Sequence, residues 1–229
     1  MNIALILAGG TGTRLGKSTP KQYIEINGRP VIAYCLDVFA QHDDIDAVQI
    51  VASKEWHSYI CANVPFEIKE KINGFSNPGI NRQLSIWNAL NDIKKYAKAD
   101  DVLIVHDAAR PCISEELLTE GIHAIKNHDG VMPVLPMKDT VYYSKDGRSV
   151  DSLVERSCIF AGQAPEFFYF GKYLKANRKL MPDQILQING STEPAILQKL
   201  DIVMIPGDEK NFKITTKEDL ERFQALVEE

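Results

Sequence analysis

The stretch Leu7-Ala8-Gly9-Gly10-Thr11-Gly12-Thr13-Arg14-Leu15-Gly16, followed by Pro20-Lys21-Gln22, constrains this chain more than any other. It comes directly after Ile3-Ala4-Leu5-Ile6-Leu7, an apolar run that predicts a buried first strand. The strand therefore runs into four glycines within eight residues, with Arg14 and Lys21 close behind. Glycine allows positive φ and a close approach of backbone to a ligand. Successive N–H groups in such a turn form a concavity for anions. With two fixed cations beside it, the loop suits a triphosphate.

Two commoner phosphate loops do not fit. Gly16-Lys17-Ser18 resembles the end of a Walker A loop, but that pattern needs glycine where Thr11 stands. The dinucleotide pattern G-x-G-x-x-G, begun at Gly10, needs glycine where Leu15 stands. An incidental glycine-rich turn is the competing reading, and the clusters further along the chain weigh against it.

With 229 residues, the chain is long enough for one domain or two small ones. Hydrophobic residues make up 45% and charged residues 25%, which predicts a globular protein with a substantial core. The formal net charge of −5 argues against general binding to nucleic acid or anionic membranes. Neither a secretory leader nor a membrane-length apolar run is visible. Cys35, Cys61, Cys112 and Cys158 are scattered without metal or redox spacing, which predicts reduced thiols in a cytoplasmic protein.

Strand and helix patterns alternate. Residues 47–51, 101–105 and 130–134 read as strands, and 31–39 and 82–96 as helices. Ser114 is placed to cap a helix that begins with two glutamates. The alternation predicts a three-layer α/β fold around a mainly parallel sheet. Ligands in such sheets bind outside the carboxyl ends of strands, where the glycine loop and His106-Asp107 would meet. Residues 138–163 break the pattern. An Asp146-Gly147 turn between strand-like segments predicts a β-arm, packed on its own domain or on a partner subunit.

Three clusters carry chemistry. In His106-Asp107-Ala108-Ala109-Arg110-Pro111, a carboxylate at a strand end beside a phosphate loop suits Mg²⁺. Arg110 could grip a second phosphate, or pair with Asp107 while Asp107 caps the turn. In Gly79-Ile80-Asn81-Arg82-Gln83-Leu84-Ser85, backbone N–H groups and the Ser85 hydroxyl could read the edge of a base, or Ser85 could be an ordinary early-helix residue. Lys213 precedes Thr215-Thr216-Lys217-Glu218-Asp219, a capped helix start, and reaches the cleft only if the strand before it ends there. His106 reads as structural rather than as a general base, and neither a nucleophile elbow nor a metal-protease motif is present.

Taken together, residues 7–21, 82–85, 106–111, Asp139-Thr140, Arg156 and 211–220 resemble the cytidylyltransferases that act on polyol phosphates, specifically those for 2-C-methyl-D-erythritol 4-phosphate and ribitol 5-phosphate. The resemblance spans nearly the whole chain, with the motifs in order. It implies one Rossmann-like nucleotidyltransferase domain over 1–229, with a dimerisation arm at about 138–163. It implies a nucleotide site at Leu7, Ala8, Gly9, Gly10, Thr11, Gly12, Thr13, Gly79, Arg82, Ser85 and Ala108. Arg14 and Lys21 would stabilise the transferring α-phosphate of CTP. Lys213 would meet the acceptor phosphate, together with Thr140 and Arg156 from a partner subunit. Arg110 would face the polyol, and Asp107 would hold Mg²⁺. The implied products are a CDP-polyol and pyrophosphate, made by a cytoplasmic homodimer.

The departures lie on the acceptor side. The family's Thr-x-Asp-Arg reads Leu153-Val154-Glu155-Arg156, and its Gln-Thr-Pro-Gln reads Gln163-Ala164-Pro165-Glu166. Its Thr-Asp near the polyol falls on Asn189 or, with a short gap, on Thr192-Glu193, and an often acidic position is Ile80. A different sugar phosphate as acceptor, or a CTP-binding protein without catalysis, are the alternatives.

Overall fold

The computed structural model describes residues 1–11 and 19–228. Strand β1 (Asn2–Leu7) ends at the glycine loop. A small ladder of β2 (Glu25–Ile26) and β3 (Arg29–Pro30) leads into helix α1 (Val31–Gln41). Strand β4 (Ala47–Val51) follows, then α2 (Lys54–Ala62), α3 (Phe66–Lys71) and β5 (Ile72–Ser76). Next come α4 (Arg82–Ile93), β6 (Val102–Asp107), α5 (Glu115–Ala124) and β7 (Gly130–Pro136). The hairpin of β8 (Val141–Tyr143) and β9 (Ser152–Val154) stands apart from the main sheet. Strands β10 (Phe160–Gly162) and β11 (Glu166–Tyr169) return to it. Helices α6 (Phe170–Arg178) and α7 (Glu193–Leu197), strand β12 (Ile202–Pro206) and helix α8 (Lys217–Glu228) complete the described chain.

The main sheet runs β10-β7-β11-β6-β1-β4-β5, with β12 beside β7. Strands β6, β1, β4 and β5 are mutually parallel, as the alternation of strand and helix predicts. Strand β11 runs antiparallel between β6 and β7, and β10 pairs antiparallel with the end of β7.

Alternation along β1 sorts the core into two layers. Ala4 and Ile6 pack with Ile32, Leu36 and Phe39 of α1, and Ile3 and Leu5 pack with Ile86, Leu90 and Ile93 of α4. A third cluster joins Val31 to Ile214, Leu220 and Phe223, fixing α8 beside the start of α1. These two layers and their sheet are the predicted three-layer arrangement.

Several boundaries differ from the sequence expectation; α1 and β7 each run two residues further than predicted. The helix predicted over 82–96 ends at Ile93, where Lys94–Tyr96 close into a tighter turn. Asp101 lies before β6 rather than in it, and its carboxylate accepts from the Met1 ammonium and the Lys98 N–H. The arm is shorter than 138–163. Residues 160–162 lie in the main sheet, because Phe160, Ala161 and Gly162 pair with Pro136, Leu135 and Val134. Among the described residues, no helix is long and apolar enough to cross a membrane.

Candidate active site

The carboxyl ends of β1, β4 and β6 open onto a cavity of about 480 Å³. Four segments far apart in sequence line it: Gly9–Thr11, Gly79–Arg82, Asp107 with Ala109, and Lys213 with Thr215. Lys21 and Gln22 close it from the side of the glycine loop.

The start of the loop is anchored from below. Gln22 Nε2 donates to the Ala8 carbonyl at 2.6 Å and to the Gly10 carbonyl at 2.7 Å, and Tyr23 Oη donates to the same Ala8 oxygen at 2.9 Å. These bonds hold the start of the loop by its carbonyls. Gly9 is required by a close approach: a Cβ there would stand 2.6 Å from Pro78 Cβ. Leu7 lines the cavity floor, and its carbonyl accepts from the Ala8-like neighbour across the sheet, Ala108 N, at 3.1 Å. Ala108 is buried. Gly12, Thr13 and Arg14 lie outside the described residues.

The second wall is the start of α4. Asn81 caps the helix by accepting from Leu84 N at 2.8 Å. Gly79 tucks against this turn so tightly that a Cβ would meet Leu84 Cβ at 2.4 Å. The Ser85 hydroxyl accepts from Gly79 N and donates to the Asn81 carbonyl, both at 2.9 Å. Its role here is to hold the turn, which leaves the backbone of 79–81 and the 87%-exposed Ile80 to face a ligand.

Asp107 is the electrostatic centre. It is 7% exposed, and Arg82 Nε and Nη2 both donate to its Oδ1, at 3.2 and 3.1 Å. Lys213 Nζ donates to Oδ2 at 2.9 Å. Burial pushes the Asp107 carboxyl up, but Arg82 and Lys213 outweigh it and hold the group well below the usual carboxylate range. Lys21 reaches the same corner, donating from Nζ to the Ile214 carbonyl at 2.5 Å. The segment between β12 and α8 brings Lys213 to the cavity wall. The carboxylate of Asp219 gathers the N–H groups of Thr215 and Thr216, which fixes the turn that follows Lys213.

Other predicted residues take different places. Arg110 is mostly buried beneath the cavity, where Nη1 donates to the Asn211 carbonyl at 2.6 Å and Nε lies 3.8 Å from Asp107. It does not line the cavity wall. His106 is fully buried; burial lowers its pKa to about 4, which suits a neutral structural ring. Thr140 and Arg156 are exposed at the arm, and the Arg156 guanidinium donates to the Lys138 carbonyl at 2.7 Å. A single chain does not bring them to the cavity. Of the two acceptor-side alignments, Thr192 is buried and Asn189 is exposed.

Three groups were not singled out as site residues from sequence. Gln22 and Tyr23 clamp the loop, and the Lys21-Gln22-Tyr23 run was their only sequence signal. Glu166 stands 3.9 Å from Arg82 and accepts from Thr192 Oγ1 at 2.7 Å. Its sequence signal was a charge where the resembling family carries glutamine.

Asp107 can accommodate a magnesium ion. Among the described residues no three acidic, histidine or cysteine side chains converge on a metal site. Mg²⁺ commonly takes only one or two carboxylates and completes its shell with phosphates and water. Asp107 lines the cavity, and Arg82 and Lys213 favour its ionised form, the form that a divalent cation takes.

Comparison with known proteins identifies the family. A sequence model of 2-C-methyl-D-erythritol 4-phosphate cytidylyltransferase (IspD) matches residues 2–229. A ribitol-5-phosphate cytidylyltransferase of Streptococcus agalactiae is 31% identical over all of this chain and 95% of its own length. A 2-C-methyl-D-erythritol 4-phosphate cytidylyltransferase of Clostridium perfringens is 34% identical over 95% of each chain. The crystal structure of the Francisella tularensis 2-C-methyl-D-erythritol 4-phosphate cytidylyltransferase superposes with a TM-score of 0.81 at 26% identity, covering 98% of this chain and 100% of the other. The chain belongs to the cytidylyltransferase family that acts on polyol phosphates.

Proposed function

We propose that this chain transfers the cytidylyl group of CTP to ribitol 5-phosphate or 2-C-methyl-D-erythritol 4-phosphate, releasing pyrophosphate. The observation that carries this reading is the convergence of Lys21, Arg82, Asp107 and Lys213 on one cavity beside the glycine loop. The triphosphate lies on the loop and the base against the turn at Gly79. An oxygen of the acceptor phosphate attacks the α-phosphorus of CTP. The bond from α-phosphorus to the bridging oxygen of the β-phosphate breaks, and pyrophosphate leaves with that electron pair. No protein nucleophile is needed, so catalysis consists of positioning and charge stabilisation.

In this reading Lys21 and Arg14 meet charge on the α-phosphate, and Lys213 meets the acceptor phosphate while held by Asp107. Asp107 would hold Mg²⁺, which supplies charge neutralisation on the phosphates when bound. The exposed Thr140 and Arg156 serve the cavity of a partner subunit in a homodimer, and Arg110 supports the acceptor side from below. The location is cytoplasmic, in keeping with four free cysteines.

The test is product identification by mass spectrometry after incubation with CTP, UTP or dTTP and each of the two polyol phosphates or a sugar 1-phosphate. A CDP-polyol formed from CTP and one of the two acceptors is the expected result. Products from UTP or dTTP and a sugar 1-phosphate would replace this reading with a sugar nucleotidyltransferase.

A further inference from the structure

The Glu166 carboxylate is buried at 8% exposure, on β11 beside the end of β6. One oxygen, Oε1, accepts from the Thr192 hydroxyl at 2.7 Å. The other, Oε2, has no hydrogen-bond partner among the described residues. A buried carboxylate oxygen without a partner costs stability, and a neutral side chain of the same shape would avoid that cost. The nearest cation is Arg82, whose Nη2 lies 3.9 Å from Oε2 and 3.1 Å from Asp107 Oδ1.

The guanidinium thus stands between two carboxylates and bonds only one. While Arg82 directs both Nε and Nη2 onto Asp107 Oδ1, that oxygen is filled. Asp107 cannot turn Oδ1 to an incoming ligand unless Arg82 withdraws. An arginine withdrawn into a buried space with no acceptor would lose its charge partner at high cost. Glu166 Oε2 is an acceptor about one ångström beyond bonding distance, and Thr192 anchors the carboxylate through Oε1.

We propose that Glu166 is a positioning residue, the second seat for Arg82, which takes the guanidinium when Asp107 engages substrate. This rests on the activity proposed above. The effect falls on Asp107 and the Lys213 that it holds, rather than on the base site. The turn at Gly79 is fixed by Ser85 and Asn81 whichever seat the Arg82 head occupies.

The test is a crystal structure with CTP and Mg²⁺, joined to a double-variant cycle. In the structure Arg82 should move onto Glu166 Oε2, at about 2.9 Å, a normal charge-assisted distance. Arg82 remaining on Asp107 Oδ1 with CTP bound would overturn the proposal. In the cycle, Glu166→Met, which removes the acceptor and keeps the volume, should lower kcat at least tenfold, with KM for CTP within about twofold of wild type and a Tm no lower. In an Arg82→Gln background the same change should have no further effect, because no guanidinium needs the seat. Full turnover of Glu166→Met, or equal losses in both backgrounds, would overturn the proposal. If Glu166→Met does not fold, Thr192→Val frees Glu166 from its anchor and should lower kcat in the same direction. If the wild type binds CTP but turns over neither acceptor, the activity assignment fails, and the crystallographic arm still decides where Arg82 sits.

Discussion

Asp107 and Arg156 are both charged side chains assigned to the reaction, but the chain holds them in different ways. Asp107 is sunk at the end of a strand that is buried along its whole length, with Arg82 and Lys213 bonded to it and Arg110 close by. Arg156 stands exposed on the arm, with a hydrogen bond to a neighbouring carbonyl. The same contrast extends to their surroundings. Around the cavity, main-chain turns are clamped by Gln22, Tyr23, Asn81 and Ser85. Along the arm, Tyr142, Tyr143 and Leu153 are largely exposed. Preorganised charge must be built on a rigid frame, because its value lies in not having to rearrange during the reaction. An apolar hairpin without a covering layer is suited to completing a site on another subunit.

The comparison can be broken most directly on the cavity side. Lys21→Ala should lower kcat at least ~100-fold, the effect of losing one preorganised donor to the transition state. Steady-state kinetics with CTP and the acceptor would check this, and turnover near wild type would remove the role given to the loop.

The arm should yield a smaller effect with a different signature. Arg156→Ala should lower kcat/KM for the acceptor by about tenfold, as expected for one hydrogen bond to a charged group, without lowering Tm. Mixing Lys21→Ala with Arg156→Ala chains, each weakly active, should restore turnover. In a mixed dimer, one cavity receives an intact Lys21 together with an intact arm. Failure to restore activity would confine each site to its own chain.

Asn81→Ala removes the cap of α4 and should cost about 1 kcal/mol in denaturant unfolding. It should also raise KM for CTP more than it changes kcat, since the same turn carries Gly79.

His106 sharpens the contrast through pH. Burial lowers its pKa to about 4 from an ordinary 6.5. Its folded-state value is depressed, so the unfolded chain binds the proton more readily. Its contribution to stability is therefore complete above about pH 6.5 and fades as pH falls through 4, by at most about 3 kcal/mol. Denaturant midpoints measured across this range should fall less steeply in His106→Gln than in wild type. Equal slopes would mean that the buried ring does not govern the acid side.

Much of the fold that frames the cavity was readable because its parts are local. The strand before the glycine loop, the Ser114 cap and the turn at Gly79 each depend on neighbours within a few residues. The pairings across the cavity were not readable, because they depend on tertiary approach. Asp107 and Lys213 are 106 positions apart, and Arg82 of α4 approaches Glu166 of β11. Strand β11 was missed because a four-residue segment of Glu166 and three aromatics is too short to show a period that separates strand from helix. The last part of the arm was misplaced for a related reason. Phe160-Ala161-Gly162 is strand-like in either setting, and its pairing with the end of β7 decides where it belongs.

The most direct test of the account is pyrophosphate release by the purified protein with CTP and Mg²⁺, measured with ribitol 5-phosphate and with 2-C-methyl-D-erythritol 4-phosphate. The account predicts release that requires both CTP and one of these acceptors, and that is lost in Lys21→Ala. CTP binding without release in the presence of either acceptor would contradict it.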